Sequence, residues 1–348
     1  MVIRMEIKDI QRIDKDRMYE YYDKWPDFAR QSYEKEFSDP EFSDPEFSNI
    51  DHIVFGGMGG SGTIGDIISS ILSKKNIHVS VIKGYLLPKT VDENTVIVLT
   101  SISGNTDETI NLLNDALKTK AKIIVFSSGG KIQEMSEKNN ISYYKIGKNH
   151  SPRVSLLGFL YSILKILKQI LPIDESEITE SLEKLEDYRK KISSLNLTHS
   201  NPSLRLAEWI SGTPIIYFPA GLQAAAIRFK NSLQENAKDY VITEDVIEAC
   251  HNSIVSWTTT NNMNPIFIQG VDDHIKTKER WFILKDFFND KKVEFNEVAT
   301  TSGGILSKLV CLIYQLDYTS LYRAILKNID PGPVEPIDYV KNRLKSNY

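Results

Sequence analysis

The stretch FGGMGGSG, from Phe55 to Gly62, decides how the first half of the chain folds. The short apolar run Ile53–Phe55 leads into it, and a helical stretch follows near Thr63–Lys74. Glycines between a strand and a helix let the backbone approach a ligand closely, and the N-terminus of the helix favours an anion. The stretch therefore predicts a β-strand, a ligand-binding turn and a helix in immediate succession.

Alternating apolar runs and helical stretches continue on the C-terminal side of this turn. In the first half, the predicted strands are Ile53–Phe55, His78–Ile82, Thr95–Thr100, Lys122–Ser127 and Ile141–Ile146, with a helix near Asp107–Lys118. In the second half, strands at Pro214–Gly221, Pro265–Gly270 and Lys292–Val298 alternate with helices at Leu222–Ala237, Thr277–Asn289 and Ile305–Lys327. Strands that alternate with helices indicate βαβ units, so the fold class is α/β with parallel sheets.

Four segments follow from this alternation. We expect a helical and loop lead-in over residues 1–50, a first α/β domain over 51–150, a helical connection over 151–203, and a second α/β domain with C-terminal helices over 204–348. The tandem repeat EFSDP-EFSDP-EFSN, from Glu36 to Asn49, predicts a loop because it is rich in proline and Ser-Asp pairs. The best candidate for a linker is the polar stretch Lys190–Ser203.

Composition and charge exclude several classes of protein. The 348 residues carry a net charge of −4, which does not suggest a nucleic-acid binder. The two cysteines, Cys250 and Cys311, have no CxxC spacing, so neither a zinc site nor a disulfide framework is indicated. The N-terminal residues lack the apolar core of a signal peptide, and no uncharged apolar run is long enough to span a bilayer. We therefore expect a cytoplasmic protein.

The first glycine-rich turn has three possible uses. Gly57, Gly59 and Gly62 satisfy the GxGxxG pattern of dinucleotide-binding folds. That site also needs an acidic residue at the end of the second strand to hold the ribose, but the strand here runs into Lys83 and Gly84. A dinucleotide site and a purely structural turn therefore remain alternatives to the interpretation we favour, a site for another anionic ligand.

A second loop of the same kind is TSISGNTDET, from Thr100 to Thr109. Ser101, Ser103 and Thr106 bring three hydroxyl groups to the start of a helix, where backbone N–H groups also point outwards. Hydroxyl and amide donors together suit a phosphate monoester. The alternative is an ordinary helix N-cap made by Thr106, although a cap needs only one hydroxyl. No P-loop lysine follows either loop.

These two loops together resemble the sugar isomerase (SIS) domain, which binds phosphosugars through a loop of the SxSGxTxET kind. Three more segments narrow the resemblance: PRVSLLG (Pro152–Gly158), RFKNSLQENAK (Arg228–Lys238) and HNSIVSW (His251–Trp257). With the C-terminal segment from Asp317 to Leu344, they resemble the bifunctional phosphoglucose/phosphomannose isomerases known best in archaea. The resemblance covers about Ile50 to Leu344. It departs at Gly332, where the family pattern has a threonine, and this affects the expected substrate preference.

The resemblance implies a fold, a reaction and a set of site residues. The fold would be two SIS-type αβα sandwich domains with flavodoxin-like parallel sheets. The reaction would convert glucose 6-phosphate and mannose 6-phosphate to fructose 6-phosphate through an enediol(ate), with no cofactor and no metal. Gly59, Gly60, Ser61, Ser101, Ser103 and Thr106 would bind the substrate.

The resemblance also assigns four catalytic residues. Glu235 would move the proton between C1 and C2, and Arg153 would stabilise the enediolate. His251 and Lys341 would open the sugar ring, with His251 donated by the neighbouring subunit of a homodimer. Each of the four has an alternative role without catalytic function: Glu235 could be a solvated glutamate, Arg153 part of an interdomain salt bridge, His251 a structural or surface histidine and Lys341 a solvated lysine. A non-catalytic phosphosugar sensor and an amino-sugar phosphate isomerase are the alternative functions, with a dinucleotide-dependent oxidoreductase third.

Overall fold

The computed structural model describes residues 5–37, 49–259 and 262–346 and places them around two parallel β-sheets. The first sheet has the strand order β2-β1-β3-β4-β5. Its strands are β1 (His52–Gly56), β2 (His78–Ile82), β3 (Thr95–Ser101), β4 (Lys122–Ser127) and β5 (Ser142–Lys145). This 2-1-3-4-5 order is that of flavodoxin-like folds, as predicted. Every residue of β1 and β3 is buried, because helices cover both faces of a parallel sheet.

The second sheet repeats this plan with four strands in the order β7-β6-β8-β9. Its strands are β6 (Thr213–Phe218), β7 (Ile242–Asp245), β8 (Met263–Gln269) and β9 (Asn296–Ala299). Strands β6, β7, β8 and β9 therefore correspond to β1, β2, β3 and β4. The predicted α/β class and the two parallel sheets are confirmed. The sequence pattern did not reveal β7, an edge strand whose four residues, ITED, are all only half-buried.

Fourteen helices are defined within the described residues. They are α1 (Ile7–Ile13), α2 (Met18–Asp23), α3 (Trp25–Glu34), α4 (Gly60–Leu72), α5 (Asp107–Ala116), α6 (Lys131–Lys138), α7 (Leu156–Ile166), α8 (Glu175–Ile192), α9 (Pro202–Trp209), α10 (Gln223–Ser232), α11 (Val246–Ala249), α12 (Ile275–Asp290), α13 (Ile305–Leu326) and α14 (Glu335–Ser346). Helix α6 was not predicted, because its sequence KIQEMSEK is polar apart from Ile132 and Met135. None of these helices combines the length and apolar character needed to cross a bilayer.

Helix α13 is the centre of the packing between the two halves. It is 22 residues long, contacts α8, α9 and α10, and has 18 buried residues. The N-terminal helices also pack on it: the rings of Tyr22 and Trp25 are fully buried and lie against Tyr318 and Tyr314 respectively. The lead-in predicted for residues 1–50 is thus helical but has a buried face. The predicted EFSDP loop lies almost entirely outside the described residues.

The predicted linker at residues 190–203 is largely enclosed. Asn201 is fully buried, caps α9 by accepting from Ser203 N and Leu204 N, and donates to the carbonyl of Ile192. One buried cluster includes side chains from both sheets and from α7, α8 and α13. The domain boundaries at 150 and 203 therefore stay a prediction, because packing is continuous across them.

A chain of polar side chains lies where β1, β2 and β3 begin, at the edge of the sheet opposite the glycine turn. Thr95 Oγ1 donates to Asp92 at 3.0 Å and lies 3.4 Å from His52 Nδ1. His52 Nε2 lies 3.0 Å from Ser80 Oγ, and Ser80 Oγ lies 3.3 Å from His78 Nε2. Burial, and secondarily the nearby His78, lower the pKa of His52, although the Thr90 backbone, Asp92 and Asp51 oppose this.

The His52 pKa predicts a pH-dependent stability. Because the pKa is lower in the folded protein than in the unfolded chain, His52 stabilises the fold fully above its unfolded pKa of about 6.5 and loses that contribution as the pH falls below it. Urea unfolding at pH 7.5 and 5.5 should show a larger loss of unfolding free energy in the wild type than in His52→Gln. His199→Gln, at an exposed position, is the control and should keep the wild-type loss. An equal loss in His52→Gln would contradict the prediction.

Candidate active site

The first glycine-rich turn lies at the carboxyl end of β1, and its backbone is not covered by side chains of its own. Gly59 precedes α4 with φ +54° and ψ −125°, and a side chain there would meet nothing within 4 Å. Gly60 begins α4, and a Cβ at this position would lie 3.2 Å from the carbonyl oxygen of Pro152. No side chain of the described residues caps α4, and the N–H groups of Ser61 and Gly62 donate to the carbonyl oxygen of Met58, at 3.0 and 3.3 Å. The turn therefore offers a ligand mainly the glycine backbone at Gly59, which is exposed, and at Gly60, which is half-buried.

The second loop gathers the three predicted hydroxyl groups around Thr106. Ser101, the buried last residue of β3, donates to Thr106 Oγ1 at 3.2 Å, and Ser103 Oγ lies 3.4 Å from the same atom. The loop is held by Gly104, which has φ +73° and whose Cβ would lie only 1.6 Å from the carbonyl oxygen of Gly129. No residue with a side chain fits at 104 without moving the loop, so the glycine fixes the positions of the hydroxyls.

Thr106 occupies the N-cap position of α5, but its side chain makes no capping hydrogen bond. The hydroxyl accepts from Ser101 instead, which leaves the first N–H groups of α5 open. The two loops are linked: Ser61 Oγ accepts from Ile102 N at 3.3 Å. Hydroxyl groups, the open N-terminus of α5 and glycine backbone thus share one edge of the first sheet, an arrangement suited to an anion.

Arg153 and Glu235 meet at the junction of the two halves. Arg153 is 7% exposed, and its Nε lies 3.0 Å from Glu235 Oε2. Its other nitrogens are also bound: Nη1 donates to Asn236 Oδ1 (2.5 Å) and Pro331 O (2.9 Å), and Nη2 donates to Gly332 O (2.7 Å). The guanidinium is therefore held in one orientation, with its charge directed at the carboxylate.

Glu235 lies in a π-helical turn, Leu233–Ala237, that follows α10. Such turns are rare and occur frequently at functional sites. The turn ends at Lys238, which has φ +56°, donates to the carbonyls of Glu235 and Pro333, and so joins the π-turn to the segment before α14. The Glu235 side chain remains 29% exposed. It is thus accessible to a ligand even while it is paired with Arg153.

The other two predicted catalytic residues are exposed. His251 follows α11, and Lys341 lies on α14. Within the described part of the chain, no hydrogen bond or ion pair joins either side chain to Glu235 or Arg153. The fold of one subunit therefore brings Arg153 and Glu235 together but does not bring His251 to them.

Sequence reasoning missed Arg228 and Asp317 as parts of this site. The sequence did contain a signal for this pair, because a lone aspartate inside the apolar helix α13 must be paired if it is buried.

The space around Gly332 is too small for a side chain without some movement, since a Cβ there would lie 2.9 Å from Asp16 Oδ2. In the described ranges, no group of three His, Cys, Asp or Glu side chains could hold a metal ion. Lys83, which stands where a dinucleotide site needs an acid, is paired with Asp66 of α4.

Comparison with known proteins defines the class first. Residues 46–168 match the SIS domain family, and residues 199–344 match the bacterial phospho-glucose isomerase C-terminal SIS domain. A hypothetical protein from Thermus thermophilus has a similar structure, with a TM-score of 0.74 and 11% identity over 98% of this chain and 94% of that one. The chain is therefore a protein of two SIS domains, as the resemblance implied.

Two relatives narrow the class to a family. The bifunctional phosphoglucose/phosphomannose isomerase of Caldicellulosiruptor bescii is 32% identical over 306 residues, which cover 85% of this chain and 90% of that protein. The enzyme of the same description from Aquifex aeolicus is 30% identical and covers 85% of this chain and 91% of its own. The chain belongs to the bifunctional phosphoglucose/phosphomannose isomerase family, and the family predicted from the sequence is confirmed.

Proposed function

We propose that the protein isomerises glucose 6-phosphate and mannose 6-phosphate reversibly to fructose 6-phosphate through an enediol(ate), without a metal ion. The observation that carries the proposal is the 3.0 Å pairing of Arg153 with Glu235, an accessible carboxylate beside a fixed positive charge. Family membership adds the substrate class, because the relatives at about 30% identity are described as acting on both sugars.

Glu235 is the base in this proposal. Its carboxylate takes the proton from C2 of the open-chain aldose, the carbonyl oxygen at C1 gains a proton, and an enediol results. The proton on Glu235, which can exchange with water at the enediol stage, is then delivered to C1 while the hydroxyl at C2 loses its proton and becomes the ketone, so no redox cofactor is consumed. Arg153 stabilises the negative charge on the oxygens during both steps, because its guanidinium is already oriented and shielded from water.

The phosphate is held at the edge of the first sheet. Ser101, Ser103 and Thr106 supply hydroxyl groups, and the open N-terminus of α5 supplies N–H groups. Gly59, Gly60 and Ser61 lie beside this loop: Ser61 Oγ accepts from Ile102 N, and Gly60 is next to Pro152 and hence to Arg153. This arrangement separates the phosphate, which does not react, from the carbons that do.

Ring opening is assigned to His251 and Lys341, with His251 donated across a homodimer interface. The supporting observation is that His251 is flanked by apolar side chains exposed to solvent: Ile247 is 38% exposed and Val255 is 66% exposed. Helix α14 likewise exposes Ile337, Val340 and Leu344 on one face, beside Lys341. Exposed apolar patches of this kind mark interaction surfaces.

The proposal is tested by a coupled assay of fructose 6-phosphate formation from each aldose phosphate, in the presence of a chelator. We expect turnover of both sugars, since both give the same enediol. Activity with glucose 6-phosphate alone would restrict the function, and Gly332 would then be the first position to change. Activity only with an amino-sugar phosphate would support that alternative isomerase. Binding without turnover would indicate a phosphosugar sensor, and NAD(P)H consumption would indicate an oxidoreductase.

Glu235→Gln should abolish isomerisation while phosphosugar binding is kept. The amide has nearly the shape of the carboxylate but cannot accept the C2 proton, and a positioned general base typically contributes about 10²–10⁴-fold to the rate. Exchange of the C2 hydrogen with deuterated water should be present in the wild type and absent in the variant. Glu208→Gln, at an exposed position on α9, is the matched control and should exchange normally. Near-wild-type exchange in Glu235→Gln would assign the base to another residue.

A shared active site predicts complementation between two inactive variants. When Glu235→Gln and His251→Ala subunits are mixed and allowed to exchange, half of the dimers are hybrids, and each hybrid has one site with both native residues. About a quarter of the wild-type activity should therefore return. If the residues act within one subunit, mixing restores nothing, and the assignment of His251 to the neighbouring subunit is wrong.

A further inference from the structure

Arg228 of α10 and Asp317 of α13 form an ion pair inside the protein. Their side chains are 3% and 0% exposed. Arg228 Nε lies 3.2 Å from both carboxylate oxygens, and Nη2 donates to Oδ2 at 2.6 Å. Burial lowers the pKa of Arg228, but Asp317, together with Tyr22 and Glu235, outweighs burial, so the pKa is raised. The arginine is thus a permanent buried charge.

Asp317 has further donors. Ser232 Oγ donates to Oδ1 at 2.6 Å, and the hydroxyl of Tyr22 donates to Oδ2 at 3.3 Å. The carboxylate therefore fixes the guanidinium of Arg228 from α13 and is itself fixed from α10 and α2. This fixed placement is important because the Arg228 guanidinium also makes contacts outside the ion pair.

Arg228 connects the ion pair to the site described above. Its Nη2 also donates to the backbone carbonyl of Arg153 at 2.8 Å. Its Nη1 faces the glycine turn, since a Cβ at Gly60 would lie 3.5 Å from that atom. The side chain of Arg153, in turn, ends on Glu235. Asp317 is thus bonded to Arg228, and Arg228 to the backbone of Arg153, whose own side chain pairs with Glu235.

Stability does not explain this arrangement. Replacing a buried ion pair by apolar groups of similar volume is often neutral or stabilising. The pair is useful, however, where a neighbouring group must be held in one place. The backbone of Arg153 is such a group, because its guanidinium is shared between Glu235 and the turn at Pro331–Gly332.

We propose that Arg228, locked by Asp317, is a further positioning residue for the isomerisation: it fixes the backbone of Arg153 and thereby directs the Arg153 guanidinium at Glu235. This inference rests on the proposed function. Arg228 acts through Arg153, so its effect depends on the presence of the Arg153 side chain.

The test is a double-mutant cycle on kcat and KM for fructose 6-phosphate formation. Arg228→Met should lower kcat by about 10–100-fold with a much smaller change in KM, since a small misplacement of a catalytic group can cost about 10²-fold. In an Arg153→Gln background, the same Arg228→Met change should lower kcat by less than about threefold further, because residues that act as a unit are not additive. Losses that multiply would overturn the inference.

Two further variants separate positioning from folding. Arg228→Met with Asp317→Asn removes the unpaired charge and keeps an amide oxygen to accept from Ser232, while the amide N–H can donate to the hydroxyl of Tyr22. This pair therefore replaces Arg228→Met in the cycle if the single variant does not fold. A folded double variant with wild-type kcat would also overturn the inference. Arg228→Lys should recover part of kcat. The control is Arg189→Met, which breaks a partly exposed pair between α8 and α3 and should leave kcat unchanged.

Failure of the function and failure of the inference give different results. An inactive wild-type protein on both sugars overturns the proposed function and the inference with it. An active wild type with multiplicative losses in the cycle overturns the inference alone.

Discussion

The guanidinium of Arg153 is the group on which the site depends, because it must be buried and charged at the junction of two sheets. An isolated charge in that position would be strongly unfavourable, so every donor needs an acceptor. The acceptors come from two parts of the chain, the π-turn with Glu235 and Asn236, and the turn at Pro331–Gly332. The same contacts that satisfy the charge therefore also bring the C-terminal segment to the Glu235 carboxylate.

This requirement gives the N-terminal helices a clear role. Trp25 Nε1 donates to the carbonyl of Val154 at 2.7 Å, immediately after Arg153, and Tyr22 donates to Asp317. Asp16 approaches Gly332 from the other side, and its carbonyl accepts from His150 Nε2 at 3.1 Å. Residues 5–37 lie outside both SIS domain matches, yet they support the two backbone segments that surround Arg153.

The predictable part of the structure is the part with strong local patterns. Strands β1 and β3 are continuous apolar runs beside glycine and hydroxyl loops, so their type and the candidate phosphate-binding loop could be predicted from the residues. The flavodoxin-like strand order was implied only by the family resemblance. Strand β7 was missed because an edge strand of Ile, Thr, Glu and Asp has no such pattern. The pairing of Arg153 with Glu235 joins residues 82 positions apart, so no local pattern could show it, although the family resemblance suggested both residues. No local pattern fixes the place of His251 either, and in the described part of the chain its exposed side chain makes no hydrogen bond or ion pair with Glu235 or Arg153.

The duplicated fold places different side chains at the corresponding edges of the two sheets. Strand β8 corresponds to β3, but the residues after it are Gly270, Val271, Asp272 and Asp273 instead of a series of hydroxyls. Asp273 accepts from Gly270 N and from Trp281 Nε1, both at 3.0 Å, and Asp272 pairs with Lys308. Two carboxylates at this edge repel a phosphate dianion. The second half instead carries Glu235 on the π-turn that follows α10, so the two halves have the same topology but different chemistry: hydroxyl groups at the edge of the first sheet and carboxylates in the second half.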